Sequence, residues 1–259
     1  MKALFIRCYG KLTADMMIGA LIDMGVPTVY LKSKLSDAGI ACDFIEKPNP
    51  KAQISAHYFH IPPRGRKPLL LKEADLFKEW KQICDKGMPD WEDTGWKVFS
   101  ALTRGASDAV DEIAANVIDL RRIGVSEENL ISLYLFLACL DYLEVESLFV
   151  VPFSLKEGNT ESARATMEIL TDAGSTVGEP IGAEDIHPFA AAMLEGLSAG
   201  FMPMDGRFLI DKTAYGSDSA EKPTGDSTVA EYLGYFQDRG ESIFSRHLKV
   251  FGMGAGLDL

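Results

Sequence analysis

No two of the four cysteines, at positions 8, 42, 84 and 139, lie close enough to form a C-x-x-C motif. Scattered singly through a chain in which 47% of residues are apolar, they suit reduced, mostly buried thiols, not a disulfide framework or a thiolate metal site. Basic residues are also scarce. Lys and Arg number 26 against 38 Asp and Glu, a formal charge of −12, so the chain cannot neutralise the phosphates of a nucleic acid or an anionic membrane surface. The one compact basic run, Arg64-Gly65-Arg66-Lys67, sits beside prolines and reads as a solvated loop. Long apolar runs are missing too. The longest, Leu133 to Leu140, is far short of the ~20 residues a spanning helix needs. The N-terminus turns polar at Tyr9-Gly10-Lys11, too early for a signal-peptide core. The expectation is a cytoplasmic protein with no nucleic acid and no membrane among its partners.

What is present is a chain of 259 residues with an ordinary charged fraction of 25%, enough for one large domain or two closely packed ones. Residues 3–8 read as a short buried strand. A helix follows at once, with Thr13 as N-cap, Asp15 in the first turn and Gly25 as the stop. A second helix is expected near 28–38, and two short strands joined by a turn within 41–62. Helices then dominate. Apolar residues at steps of three and four from Phe99 to Leu120 predict one over roughly 95–119. Ser126-Glu127-Glu128 opens another to about Leu143, apolar almost all round and therefore central. A strand at Leu148–Phe153, a helix from Thr160 to Ala173 and a helix from Pro188 to Gly200 follow. Strand-like segments at 207–214 and 228–236 come late. The fold class is α/β (α+β), a mixed sheet with a helix-rich middle region.

Few motifs carry chemistry unaided. Gly10-Lys11-Leu12-Thr13 before a helix invites a phosphate-loop reading, but Phe5 occupies the place of the loop's first glycine and Leu12 separates Lys from Thr. A looser anion site at that helix N-terminus stays open, although Asp15 in the first turn would repel an anion. Gly252-x-Gly254-x-Gly256 has no helix after it and reads as a flexible end. His57 and His60 are the only closely spaced histidines. In a strand over 54–61 they point to opposite faces and cannot share one metal. His187, just before Pro188, can cap a helix or act as a ligand, and His247 lies in a basic patch. No nucleophile elbow is present.

One resemblance goes further. Cys8-Tyr9-Gly10, followed by Ala14-Asp15-Met16-Met17-Ile18-Gly19-Ala20-Leu21-Ile22-Asp23-Met24-Gly25, resembles the opening of the LarC family. Those proteins insert nickel into the pyridinium-3,5-bisthiocarboxylate mononucleotide (nickel-pincer) cofactor of lactate racemase. Leu143-Glu144-Val145-Glu146, Val151-Pro152-Phe153-Ser154-Leu155, Asp185-Ile186-His187-Pro188, Met202-Pro203-Met204 and Ala214-Tyr215-Gly216-Ser217 are similar to later family segments in the same order. The resemblance covers about residues 3–236.

It implies that 1–259 is a single LarC-like N-terminal domain, with the family's C-terminal nucleotide-binding domain absent. Where the family carries His-Phe-His-Glu before its buried helix, this chain has Leu120-Arg121-Arg122-Ile123, and guanidinium cannot bind nickel. The family's His-rich linker is matched by Pro62–Pro68, without histidine. The resemblance leaves Asp15, Gly10, Thr13 and Asp23 as cofactor-binding candidates and Cys8, Asp185 and His187 as metal candidates. Two readings follow. One is a nickel-inserting, lyase-type enzyme acting with a separately encoded C-terminal LarC-like subunit. The other is a diverged, non-catalytic paralogue that binds a cofactor or nucleotide. Nickel, a small nucleotide-like cofactor and a second copy of the chain are the expected partners.

Overall fold

The computed structural model describes residues 1–49, 55–64, 70–110, 118–155, 158–175, 185–218 and 228–236. The chain opens with strand β1 (Lys2–Tyr9), a tight turn at Gly10 (φ 85°), and the two-residue β2 (Lys11–Leu12). Helix α1 (Ala14–Asp23) begins where expected. The Thr13 side chain accepts from the Met16 N–H at 3.2 Å, satisfying a donor the first turn leaves open. Helix α2 (Thr28–Asp37), the hairpin β3 (Ile45–Asn49) and β4 (Ala56–His60), and the helices α3 (Glu73–Gly87) and α4 (Glu92–Val110) follow.

The expected helix over 95–119 is thus described only to Val110. Residues 111–117 lie outside the described residues, and Leu120–Ile123 form a turn of 3₁₀ helix. Next come α5 (Glu128–Tyr142), β5 (Ser147–Val150), α6 (Glu161–Asp172), β6 (Asp185–Ile186) and α7 (Pro188–Gly196). Strands β7 (Gly200–Phe201), β8 (Phe208–Ser217) and β9 (Thr228–Phe236) complete the order. Helix α7 ends four residues before the Gly200 stop read from the sequence. Ser198 takes a positive φ of 53° there, and Gly200 enters β7 beside Phe149. The glycine-rich end and His247 lie outside the described residues.

Nine strands among the described residues form one mixed sheet: seven run in the order β3-β4-β8-β9-β1-β2-β6, and β5, which pairs with β1, carries β7 beside that path. The α/β class with a mixed sheet and helix-rich middle therefore holds. Strand β1 lies at its centre. One side pairs antiparallel with β9 along its whole length. The other side forks: Ala3 to Ile6 pair in parallel with β5, whereas Tyr9 pairs with Lys11 of β2, which carries β6 in parallel.

The two faces of the sheet differ. Leu4, Ile6 and Cys8 of β1, with Val229 and Leu233 of β9, enter the main core with α1 and α5. Ala3, Phe5 and Phe208 point the other way, into a layer with Phe149, Tyr232 and Phe236. This is the period of two that a strand imposes. Helix α1 is buried nearly all round. It lies so close to β8 that a Cβ on Gly216 would overlap the Met16 carbonyl oxygen, and on its β4 side Gly19 faces the His57 carbonyl in the same way.

One core residue is out of keeping. Glu231 of β9 is fully buried opposite Ile6 and Ala214, and neither carboxylate oxygen meets a hydrogen-bond partner among the described residues. Burial pushes its carboxyl well above the ordinary glutamate range, so it is neutral. The thiol of Cys139, buried on α5, is likewise pushed up by burial and by Glu231.

None of the four cysteines is in a disulfide. Among the described residues no helix is long and apolar enough to cross a membrane.

Candidate functional site

A cavity of about 300 Å³ opens at the N-terminal end of α1, at the low end of the range for small-molecule pockets. Five parts of the chain wall it: the β2 turn and first turn of α1, the end of β4, the start of α5 with the loop before it, the N-terminus of α7, and the end of β8 with Asp218. Asp15 is the meeting point. Its Oδ1 accepts from the Ser132 hydroxyl at 2.9 Å, and its Oδ2 lies 3.2 Å from His60 Nδ1 and accepts from the Ile61 N–H at 3.4 Å. A carboxylate only accepts, so His60 carries its proton on Nδ1 and, when neutral, presents a lone pair on Nε2.

The remaining polar groups are largely committed. Burial raises the cost of charging Glu128. The hydrogen bonds it receives from Arg64 N–H, its own N–H and Ser126, with the Arg64 charge, outweigh that and hold its carboxyl below the ordinary range. Asn129 Oδ1 accepts from Ser126 N–H at 2.8 Å. Lys11 pairs with Asp218 at 3.6 Å on the rim. Burial, then the charges of Asp15 and Asp218, pushes the Tyr58 phenol up, so it stays a neutral donor. Three carboxylates (Asp15, Glu128, Asp218) face the cavity against one ammonium. Such a concave negative wall attracts cations and repels phosphate. An anion site at this helix end is accordingly disfavoured, whatever the dipole of α1 supplies.

The residues singled out from sequence are scattered more widely than the site. Asp15 and Thr13 line the cavity. Gly10 shapes the turn that presents Lys11, and its carbonyl accepts from Asp185 N–H at 2.6 Å. Asp23 stands at the other end of α1, about 12 Å along the axis from Asp15, and accepts from Tyr215 N–H at 3.0 Å. It ties the helix to β8 and does not line the cavity.

Cys8 is buried in β1, Asp185 is exposed on β6, and only His187 of this trio reaches the wall. His187 caps α7: Nδ1 accepts from Phe189 N–H at 3.2 Å, leaving Nε2–H to donate to the Gly124 carbonyl at 3.2 Å. Burial holds it below the ordinary histidine range, so it is neutral with both nitrogens occupied. Among the described residues, no group of three or more His, Cys, Asp or Glu stands ready to hold a metal.

His57 and His60 do go separate ways, His57 to Glu46 at 2.5 Å and His60 to Asp15. The strand geometry ruled out a shared metal but said nothing about either residue alone, so His60 was passed over. Ser132 and Glu128 were missed as well. The sequence does carry a signal for Ser132: apart from the Tyr134 phenol it is the one hydroxyl in the run Leu130 to Leu140, and a buried hydroxyl needs a partner.

The family described as Nickel insertion protein matches residues 4–237. Three relatives, each named “Putative nickel insertion protein”, illustrate the distance. One from Geotalea uraniireducens is 24% identical over 78% of this chain and 53% of its own length. One from Geotalea daltonii is 24% identical over 85% and 58%. One from a Synechococcus species is 22% identical over 86% and 58%. The chain spans somewhat over half the length of these relatives. No solved structure matches it significantly.

Proposed function

Since the chain belongs to the nickel insertion protein family, we propose that the cavity before α1 is where nickel meets its organic acceptor, with Asp15 as its organising carboxylate. The acceptor we propose is the pyridinium-3,5-bisthiocarboxylate mononucleotide precursor of the nickel-pincer cofactor, entering with its ring and sulfur donors toward Asp15 and its phosphate outward, away from the carboxylates, and the reaction is of metal-insertion, lyase type. Nickel is cargo here, taken up and passed on.

The observation that carries this reading is the position of Asp15. It stands in the segment that resembles the family's opening, and it fixes both an imidazole and a hydroxyl in the wall of a negatively lined cavity. The open, incompletely coordinating wall supports transfer over storage, because a closed four-ligand site would retain the ion. The alternative of a non-catalytic nucleotide-binding paralogue finds less support, since the matched family is one of nickel insertion and the carboxylate-lined wall suits a cation.

We further propose that turnover requires a C-terminal LarC-like subunit. The test is nickel titration of metal-stripped protein by calorimetry, followed by transfer to the precursor with and without the C-terminal part of a relative. Stoichiometric binding weakened by Asp15→Asn is expected. Absence of both binding and transfer would overturn the proposal.

A further inference from the structure

Within that reading, which this inference rests on, we infer that His60 Nε2 is the protein's first nickel ligand and that Asp15 acts through it as a positioning residue. Of the cavity's side-chain nitrogens among the described residues, only this one is open. His187 has both ring nitrogens committed, Lys11 is an ammonium paired with Asp218, and the Asn129 amide has no nitrogen lone pair to donate. His60 has Nδ1 turned to Asp15, and no described residue bonds to its Nε2. Its side chain stays 41% accessible in the cavity wall.

Imidazole suits nickel among first-row metals. A ligating histidine whose other ring N–H is held by a carboxylate has its tautomer and ring direction fixed and its basicity raised. Here that carboxylate is itself held at both oxygens, by Ser132 and by the Ile61 N–H. The ring is therefore aimed before the ion arrives.

A single protein nitrogen leaves the other positions of the ion to water and then to the acceptor's own donors. That is the coordination expected of a metal in transit. It also explains how this chain can handle nickel with Leu120, Arg122 and Ile123 where the resembled family has His, His and Glu. Leu120 and Ile123 are buried in the core, and Arg122 is engaged by Glu161.

The experiment uses the metal-free full chain and Ni²⁺ alone, with calorimetry for affinity and ¹⁵N-edited NMR of the imidazoles. His60 resonances should be the first broadened by the paramagnetic ion. His60→Gln and His60→Ala should each lose at least tenfold in affinity while melting like the wild type. Asp15→Asn should lose about 10–100-fold, as removal of an outer-shell partner does, yet still broaden His60 first. His57→Gln, at a histidine that does not line the cavity, provides a control for loss of any imidazole.

Wild-type affinity in both folded His60 variants would overturn the assignment. If nickel still bound there and Asp15→Asn abolished it, the proposed function would stand with Asp15 as the ligand itself. If the wild type bound no nickel, both would fall.

Discussion

Replacing Glu231 should stabilise the protein, and by an amount that depends on pH. In the unfolded chain this glutamate titrates near 4.5, whereas in the fold burial keeps it neutral to far higher pH. An acid whose folded value is raised favours the native state fully below the unfolded value, and that benefit is lost as pH rises above it. At pH 7 the native state must hold a proton that the unfolded chain has released. Over the 2.5 pH units from 4.5, at about 1.4 kcal/mol per unit, this costs about 3 kcal/mol. The unpartnered oxygens add about 1–3 kcal/mol, which does not depend on pH.

Glu231→Gln removes only the first cost. It should gain about 3 kcal/mol at pH 7 and almost nothing at pH 4.5. Glu231→Met, of similar size and apolar, should remove both and keep about 1–3 kcal/mol of its advantage at pH 4.5. For a chain of this length 3 kcal/mol is roughly 6–12 °C in Tm. Urea unfolding at several pH values, followed by fluorescence, reads the midpoint, and an unchanged slope confirms that stability alone has moved. A gain that is flat with pH, or a Gln variant less stable at pH 7, would refute the reasoning and show that Glu231 is ionised and partnered.

Two further substitutions probe other parts of the fold. Gly216→Ala should destabilise by about 3 kcal/mol or more, because the new methyl collides with the backbone of α1; a loss under about 1 kcal/mol in the same urea assay would contradict that close approach. Asp119 is held down to about 2, first by the Arg121 side chain, and also receives the N–H groups of Leu71 and Arg121. Its contribution is present above the ordinary aspartate value near 3.8 and fades as pH falls through about 2. Discounted for solvent screening, Asp119→Asn should cost about 1 kcal/mol at pH 7 and progressively less as pH falls toward 2. Equal losses at both would count against it.

The first 25 residues were legible because each signal there is local. An apolar run, Thr13 as a cap, apolar residues at helical spacing and a terminal glycine agree with one another. The same agreement marks α6, with Thr160 as its cap and Gly174 after its end. The short strands β2 and β6 carry no pattern of their own. They exist because Lys11 and Asp185 meet across the sheet, and pairing of that kind is set by tertiary context. The site was legible at Asp15, Thr13 and His187. His60 joins Asp15 from 45 residues away and Ser132 from 117, and no periodicity links such positions. Cys8 and Asp185 looked plausible because their residue types suit a metal, yet one faces the core and the other solvent.

The divided edge of the central strand has a consequence for evolution. Where one neighbour departs after Ile6 and another joins at Tyr9, main-chain geometry alone leaves a gap beyond the strand's carboxyl end, the place where open α/β sheets accommodate small molecules. An opening made by backbone persists when the side chains around it are exchanged. Sequences sharing this branching can therefore drift far in ligand chemistry while keeping the same vestibule.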